Sequence, residues 1–303
     1  MSLTTNQASI ALRPGLKSMF GLYHSYPEEW KEFYKSYTSD KYQEIDVEMR
    51  YSGYAGIKPE GQSIALDSGM GQRVITNYIH KTVGLSFDIT REMIRDNLYP
   101  TLFPKESMSL RTSLRATKNV LATNVLNTAF STNNVIGDGQ PLCSPNHPID
   151  GGICSNAFSG QVSADLSEAS LEQAIIAIGS FKMQSGILAM VLPEKLIVAM
   201  GNQFAASRIV NSQFRPDSTN NAINAINHGN YIPKGFVVNH HLSSQSAWFL
   251  LTDAEEGFKH FQRENIQVDS SVDPKTHNIT FQAYERYSFG NSNFRSVFGS
   301  QGV

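Results

Sequence analysis

The sequence predicts an α+β fold, in which strands and helices occupy separate parts of the chain instead of alternating as βαβ units. Segments rich in β-branched and aromatic residues lie at 44–88 and again at 264–290. Between them, residues 105–130 follow a helical pattern with no glycine or proline inside it. Shorter strand-like and helix-like patterns fill the region after this long helix.

The composition excludes several classes of protein. The net charge is −2, which does not favour tight binding to nucleic acid, because such proteins usually carry a basic excess. The chain shows no secretory signal, and its most apolar stretch, 186–200, is interrupted by Pro193, Glu194 and Lys195, so no membrane contact is predicted. A charged share of 17% favours a surface covered by further copies of the chain; a polar, glycine-rich surface is the alternative.

The first part of the chain predicts a short helix and then a long two-stranded arm. Residues 27–37 suit a helix with Pro27 near its first turn. Residues 44–51 alternate as a strand, and 73–90 read as a second strand. The glycine-bearing segment between them is too poor in apolar residues to form its own core, so we expect the arm to lie on a neighbour. An ordinary surface hairpin of a larger sheet is the alternative.

The long helix predicted over 105–130 has one apolar face, formed by Leu110, Leu114, Leu121 and Val125. Beside that face runs a basic stripe of Arg111, Arg115 and Lys118. The stripe could contact an acidic neighbour or packaged nucleic acid, or it could simply be a solvated helix face.

The remaining elements are short. Ser170 and Gln173 have the spacing of a capping box that opens a helix. The patterns that follow predict strands at 188–192, 195–200, 236–242 and 247–253, helices at 203–210 and 218–227, and a closing hairpin that turns at 274–278.

The loop 138–156, DGQPLCSPNHPIDGGICSN, holds both cysteines of the chain and His147 between them. A structural zinc site usually has four ligands, and Cys143, His147 and Cys154 would need Asp138 or Asp150 to complete a set. A Cys–His nucleophile would need the two side chains apposed and the histidine oriented by a third group, which the sequence does not show. The prolines and the Asp-Gly and Gly-Gly pairs favour a structural loop. No catalytic, cofactor-binding or metal-binding residue is therefore predicted, and no cofactor.

At this loop the chain resembles the major capsid proteins of tailed bacteriophages with the Hong Kong 97-type fold. The loop is similar to the pattern D-G-x-x-L-[FC]-S-x-x-H-P-x-x-G-G-x-x-S-N that follows the long helix in many of them. IKPEGQSIALDSGMGQ followed by VGLSFDITREMIRDN resembles their extended loop and its return to the body. LSEASLEQAI, KLIV and AYERYSFGNSNFRSVFGS are similar in type and order, so the resemblance covers roughly residue 44 to the end.

The resemblance implies four parts: an N-terminal arm (1–43), an extended two-stranded loop (44–88), a peripheral domain with the long spine helix (89–165 and 258–303), and an axial domain (166–257). It implies a structural major capsid, or head, protein that self-assembles into an icosahedral shell around the phage genome and is not an enzyme. An encapsulin-type compartment, and a soluble Cys/His or metal-dependent hydrolase, are the alternatives.

The resemblance also implies partners and contact residues. Copies of the chain would associate as hexamers and pentamers, together with portal and possible cement proteins, and would touch packaged double-stranded DNA only weakly. The 43 residues before the loop leave no room for a fused scaffolding region, so a separate scaffolding protein is expected, with assembly in the host cytoplasm. The inter-subunit contacts we expect are Lys58, Pro59 and Glu60 near the loop tip, and Arg111, Arg115 and Lys118 on the spine helix.

Overall fold

A computed structural model describes residues 26–64, 66, 71–96, 99–150, 152–158, 163–214 and 223–302. Within these ranges the chain forms two four-stranded sheets, two two-stranded ribbons and several α-helices, which confirms the predicted α+β class. Among the described residues, no helix combines the length and the apolar character needed to cross a bilayer.

The first sheet packs against the long helix. Its strand order is β1-β10-β11-β4, with β1 parallel to β10 and the other pairs antiparallel. Alternate residues of β11, including Phe281 and Ala283, are fully buried under Leu110 and Leu114 of the helix. The predicted closing hairpin is the β10–β11 pair. The strands are β1 (Lys35–Thr38), β4 (Lys81–Ile89), β10 (Phe258–Val272) and β11 (Ile279–Asn291).

The long helix, α2 (Tyr99–Asn127), follows a single-turn helix, α1 (Arg91–Arg95). Its 29 residues span roughly 43 Å at about 1.5 Å per residue. The helix begins six residues before the predicted start, so Pro104 lies inside it. A proline this near the start removes only one early hydrogen bond, and the Ser107 hydroxyl donates to the carbonyls of Phe103 and Pro104 at 2.9 Å.

The second sheet has the order β12-β9-β7-β8 and carries its own core around Leu196 and Trp248. The predicted strand at 188–192 is absent apart from an isolated bridge at Leu188, and residues 218–222 of the predicted helix 218–227 lie outside the described residues. The elements are α3 (Glu168–Gly179), β7 (Pro193–Ala199), α4 (Gln203–Asn211), α5 (Ala225–His228), β8 (Phe236–Asn239), β9 (Trp248–Thr252) and β12 (Val297–Ser300).

Helix α3 begins earlier than the predicted capping box. Ser167 is its N-cap, and the Ser167 hydroxyl accepts from the backbone N–H of Ser170. The Ser170 hydroxyl in turn accepts from the backbone N–H of Ser167 at 2.9 Å. Ser170 is therefore the third residue of the helix and not its cap, because a serine hydroxyl takes the place usually held by Glu or Gln.

Two ribbons complete the fold. The first pairs β2 (Gln43–Arg50) with β3 (Gly71–Ile79), and the second pairs β5 (His147–Ile149) with β6 (Gly152–Cys154) inside the cysteine loop. The predicted second long strand is in fact two strands, because the chain breaks at His80 and β4 leaves the ribbon to join the first sheet. The predicted helix 27–37 is also wrong: a 3-10 turn over Glu29–Glu32 leads into β1.

Candidate functional site: an assembly surface

The β2–β3 ribbon carries large apolar side chains on both of its faces. Val74 and Tyr78 are 5% and 3% exposed and pack on the body of the subunit. The opposite face shows large apolar side chains to solvent, because alternate residues of a strand point to opposite sides. These outward residues are Ile45, Met49, Ile75 and Ile79, each about half exposed.

The segment that joins the two strands carries still more exposed apolar surface. Ile57 is 97% exposed and Leu66 is 91% exposed, and Tyr51, Tyr54 and Ile64 are nearly as open. Lys58, Pro59 and Glu60 are exposed, and the N–H of Gln62 donates to the Pro59 carbonyl at 3.3 Å in a turn. The structure therefore places the predicted tip residues at a solvent-facing turn.

The base of this ribbon is fixed to the body by ion pairs. Arg295 donates to Glu48 at 2.8 Å and to the carbonyl of Lys182 at 2.6 Å. Lys259 of β10 pairs with Asp46, which lies on β2 together with Glu48. Because Arg295 and Lys259 are themselves almost fully buried, these contacts hold the ribbon in one direction relative to the two sheets.

A buried hydrogen-bond chain crosses the point where β3 becomes β4. The Ser288 hydroxyl lies 3.0 Å from His80 Nδ1, and His80 Nε2 lies 3.1 Å from the Ser39 hydroxyl, which donates to Glu44 at 2.8 Å. Burial, with Arg263 and Arg286 nearby, lowers the pKa of His80. The neutral ring accepts from Ser288 and donates to Ser39, so this chain ties the ribbon to β11.

The predicted basic stripe divides into residues with different surroundings. Lys118 is 7% exposed, and its ammonium donates to Gln262 at 2.7 Å and to Glu285 at 3.1 Å. Burial lowers the pKa of Lys118. The expectation that Lys118 contacts a neighbouring subunit is therefore corrected, because the fold buries this side chain against β10 and β11 of its own chain.

The two arginines of the stripe are only partly buried. Arg115 Nε lies 3.8 Å from the Glu28 carboxylate. Burial lowers the pKa of Arg111, and neighbouring Arg115 lowers it further because the two like charges repel. The stripe therefore presents two close positive charges at a partly open surface, beside the acidic residue Glu28.

The cysteine loop is a buried hydrogen-bonded unit. His147 is fully buried, with Nδ1 2.6 Å from Asp138 and Nε2 3.1 Å from the Asn156 side-chain oxygen. Its ring stacks on Phe294 with centroids 3.9 Å apart. The sequence identified Asp138 and His147 as possible site residues, and the structure brings them together with Asn156, which sequence reasoning missed.

Asn156 connects this loop to the last strand of the chain. Its side-chain N–H groups donate to the carbonyls of Leu142, Phe294 and Val297, at 2.7, 3.0 and 3.1 Å. Its oxygen accepts from the backbone N–H of Ser144 at 2.8 Å. The signal was available in the sequence, since Asn156 closes the loop pattern quoted above.

The two cysteines lie in the interior of the fold. Both are buried free thiols, and burial raises the pKa of Cys143 well above its ordinary value. A thiol held in its neutral form is a poor nucleophile and a poor metal ligand. Among the described residues, no three His, Cys, Asp or Glu side chains are arranged to hold a metal ion.

Comparison with known proteins points to one family. A family model described as "Phage capsid protein" matches residues 74–299. No curated protein matches the chain.

The fold is similar to solved structures of particle-forming proteins. One is a virus-like particle from Pyrococcus furiosus, at 9% identity, covering 97% of this chain and 99% of that chain with a TM-score of 0.54. The capsid of an empty GTA particle is 8% identical, covering 91% and 89%, with a TM-score of 0.59. The capsid of Myoviridae Phage XM1 is 10% identical, covering 93% and 94%, with a TM-score of 0.55. At these identities the structures establish a likeness of fold.

Proposed function

This chain belongs to the phage capsid protein family and is a structural major capsid protein of the virion, and we propose that its copies assemble as hexamers and pentamers of an icosahedral shell around the phage genome. The family match does not favour the encapsulin alternative. The buried, neutral thiol of Cys143 gives no support to the hydrolase alternative.

The observation that carries the proposal is the exposed apolar surface of the arm. Fixing a residue of such a segment costs roughly 1–2 kcal/mol of backbone entropy. Burying an exposed Ile or Leu contributes about 1.5–3 kcal/mol, which offsets that cost at its own position in the segment. Ile57 and Leu66 are almost fully exposed within their own subunit, so a neighbouring copy is the surface on which they gain this energy.

We place the inter-subunit contacts accordingly. Lys58 and Glu60, on either side of Pro59, pair with opposite charges of the neighbour on which the arm lies. Arg111 and Arg115 contact a neighbouring subunit or its arm, and their partial exposure supports this role.

The four-part organisation is part of the same proposal. Residues 1–43 serve as the N-terminal arm, 44–88 as the extended loop, 89–165 with 258–303 as the peripheral domain, and 166–257 as the axial domain. The core under α2 is built from residues of 83–114 and 268–283 and supports a separate peripheral unit, whereas the core around Trp248 also takes Ile149, Phe294 and Phe298 from the ranges assigned to the peripheral domain.

A separate scaffolding protein, a portal and cement proteins complete the set of proposed partners. Packaged double-stranded DNA makes only weak contacts, because the net charge of −2 gives little attraction to phosphate. Assembly takes place in the host cytoplasm.

The test is a double substitution in the arm, Ile57→Asp with Leu66→Asp, compared with Gln62→Asp in the same segment. Gln62 is also exposed, so the control adds charge without removing an apolar contact. We expect both proteins to stay soluble with cooperative melts, and only the Gln62 variant to form closed shells in negative-stain micrographs. Closed shells from the double variant would overturn the proposal.

A further inference from the structure

A groove of about 770 Å³ lies at the base of the ribbon, apart from the exposed arm. One wall is β2, from Asp46 to Met49. The others are the loop 183–191, the turn 253–256 and the residues just before β12. A volume of this size is in the range of sites that bind small ligands or short peptide stretches.

The groove is strongly acidic. Its cations are Arg295, which donates to Glu48, and the adjacent Lys259, which pairs with Asp46 and Glu256. No cation of the described residues forms an ion pair with Asp253 or Glu255. The lining carboxylates are Asp46, Glu48, Asp253, Glu255 and Glu256, so they outnumber these two cations by three.

Flexible apolar side chains line the same groove. Met49 and Met183 are 48% and 37% exposed, and Met190 is 84% exposed. Methionine adapts its shape to an apolar partner and is favoured at surfaces that bind peptides. Met190 also has a positive φ of 53°, an uncommon conformation for a residue other than glycine, of the kind that clusters at binding sites.

The beginning of the chain has the complementary composition. The stretch 10–20, IALRPGLKSMF, combines Arg13 and Lys17 with apolar residues, and the first acidic residue of the whole chain is Glu28. This stretch lies outside the described residues. Arg13 and Lys17 are the charged residues of this stretch, so it carries a charge of +2, opposite in sign to the groove.

We propose that the acidic, methionine-lined groove binds residues 10–20 of this same chain, supplied by its own or an adjacent copy. Arg13 and Lys17 pair with Asp253 and Glu255, and the apolar side chains of the segment contact Met49, Met183 and Met190. The arm 52–72 of a neighbour is a poorer match for the groove, since it carries Glu60 and Asp67 beside its single Lys58.

The test places a photo-crosslinking phenylalanine analogue, p-benzoylphenylalanine, at Met190 of the full-length chain and maps the crosslinked peptides by mass spectrometry. We expect crosslinks to peptides that contain residues 10–20. The same probe at Phe204, which is 74% exposed on α4 and does not line the groove, should give none to that stretch. The reaction needs no closed shell, so its outcome is independent of the arm experiment.

A charge swap distinguishes specific ion pairing from nonspecific binding. Glu255→Lys alone, and Arg13→Glu with Lys17→Glu, should each lower the crosslink yield about five-fold, because each change replaces attraction by repulsion. The combination of all three should restore the yield to within about two-fold of the unsubstituted chain. Crosslinks from position 190 to residues 52–72 or to another protein would overturn the proposal, and so would the absence of crosslinks. A triple variant whose crosslink yield stays low would also overturn it.

Discussion

Replacing Lys118 with Met leaves the Glu285 carboxylate buried without its cation. Lys118 is 7% exposed and Glu285 is 3% exposed, and their charged atoms are 3.1 Å apart. Removing one partner of a buried ion pair costs about 3–5 kcal/mol, because the remaining charge loses both water and its counter-ion. The substitution also removes the hydrogen bond to Gln262 at 2.7 Å. We expect the free energy of unfolding to fall by roughly 3–5 kcal/mol.

The chain offers a matched control in Lys41 and Glu44. Their charged atoms are 3.2 Å apart, almost the same separation, but the Lys41 side chain is 74% exposed. Exposed pairs contribute about 0–1 kcal/mol, because water screens the charges and the side chains lose rotamer freedom. Lys41→Met should therefore lower the free energy of unfolding by less than about 1 kcal/mol.

A double variant tests whether the cost arises from the unpaired carboxylate. Lys118→Met combined with Glu285→Leu replaces the buried pair with apolar side chains, an exchange that is often neutral or stabilising. We expect it to recover most of the stability lost by Lys118→Met alone. The coupling between the two substitutions follows from the double-mutant cycle.

The measurement is urea unfolding of dissociated subunits, followed by tryptophan fluorescence. Trp30 is a suitable reporter, because its ring centre lies 5.2 Å from the Lys118 ammonium. The slope of the transition should be the same in all variants, so that midpoints report stability. If Lys118→Met costs no more than Lys41→Met, the idea that Lys118 is committed to its own subunit is refuted.

Three further predictions concern other buried groups. Burial lowers the pKa of His260 to about 3, so as the pH drops from about 6.5 this histidine is protonated in the unfolded chain before it is protonated in the folded one, and the folded state loses stability. We expect the free energy of unfolding to fall by roughly 2–3 kcal/mol by pH 4.5, and by less in His260→Phe. Equal losses in both proteins would contradict this. Asn156→Ala removes the amide that donates to three carbonyls and should cost roughly 2–4 kcal/mol in urea unfolding, with an unchanged midpoint counting against its structural role. Cys143→Ser with Cys154→Ser should still assemble, and elemental analysis of the unsubstituted protein should find no stoichiometric metal; one zinc per chain would overturn that expectation.

The sequence by itself determined the features that depend on local spacing. The 3.6-residue period located the long helix, and the two-residue period located β2 and the β10–β11 hairpin, because these patterns follow from how side chains alternate around each element. The loop pattern and the order of motifs led to the capsid family, which the match over residues 74–299 confirms. The boundaries of elements were predicted less accurately: α2 begins at Tyr99 and α3 at Glu168, both earlier than expected. The reason is that proline and serine can each occupy more than one position in the first turns of a helix.

Only the tertiary structure decided which polar side chains serve the interior. Lys118 and Arg115 occupy one stripe in the sequence, yet one is buried and the other partly open, because the partners of Lys118 arrive from strands more than a hundred residues away. Asn156 likewise gains its role from carbonyls of 294 and 297, and His80, where the strand breaks, gains its partner Ser288 from β11. Burial and pairing set the energy of a charged or polar group, and both are properties of neighbours that are distant along the chain.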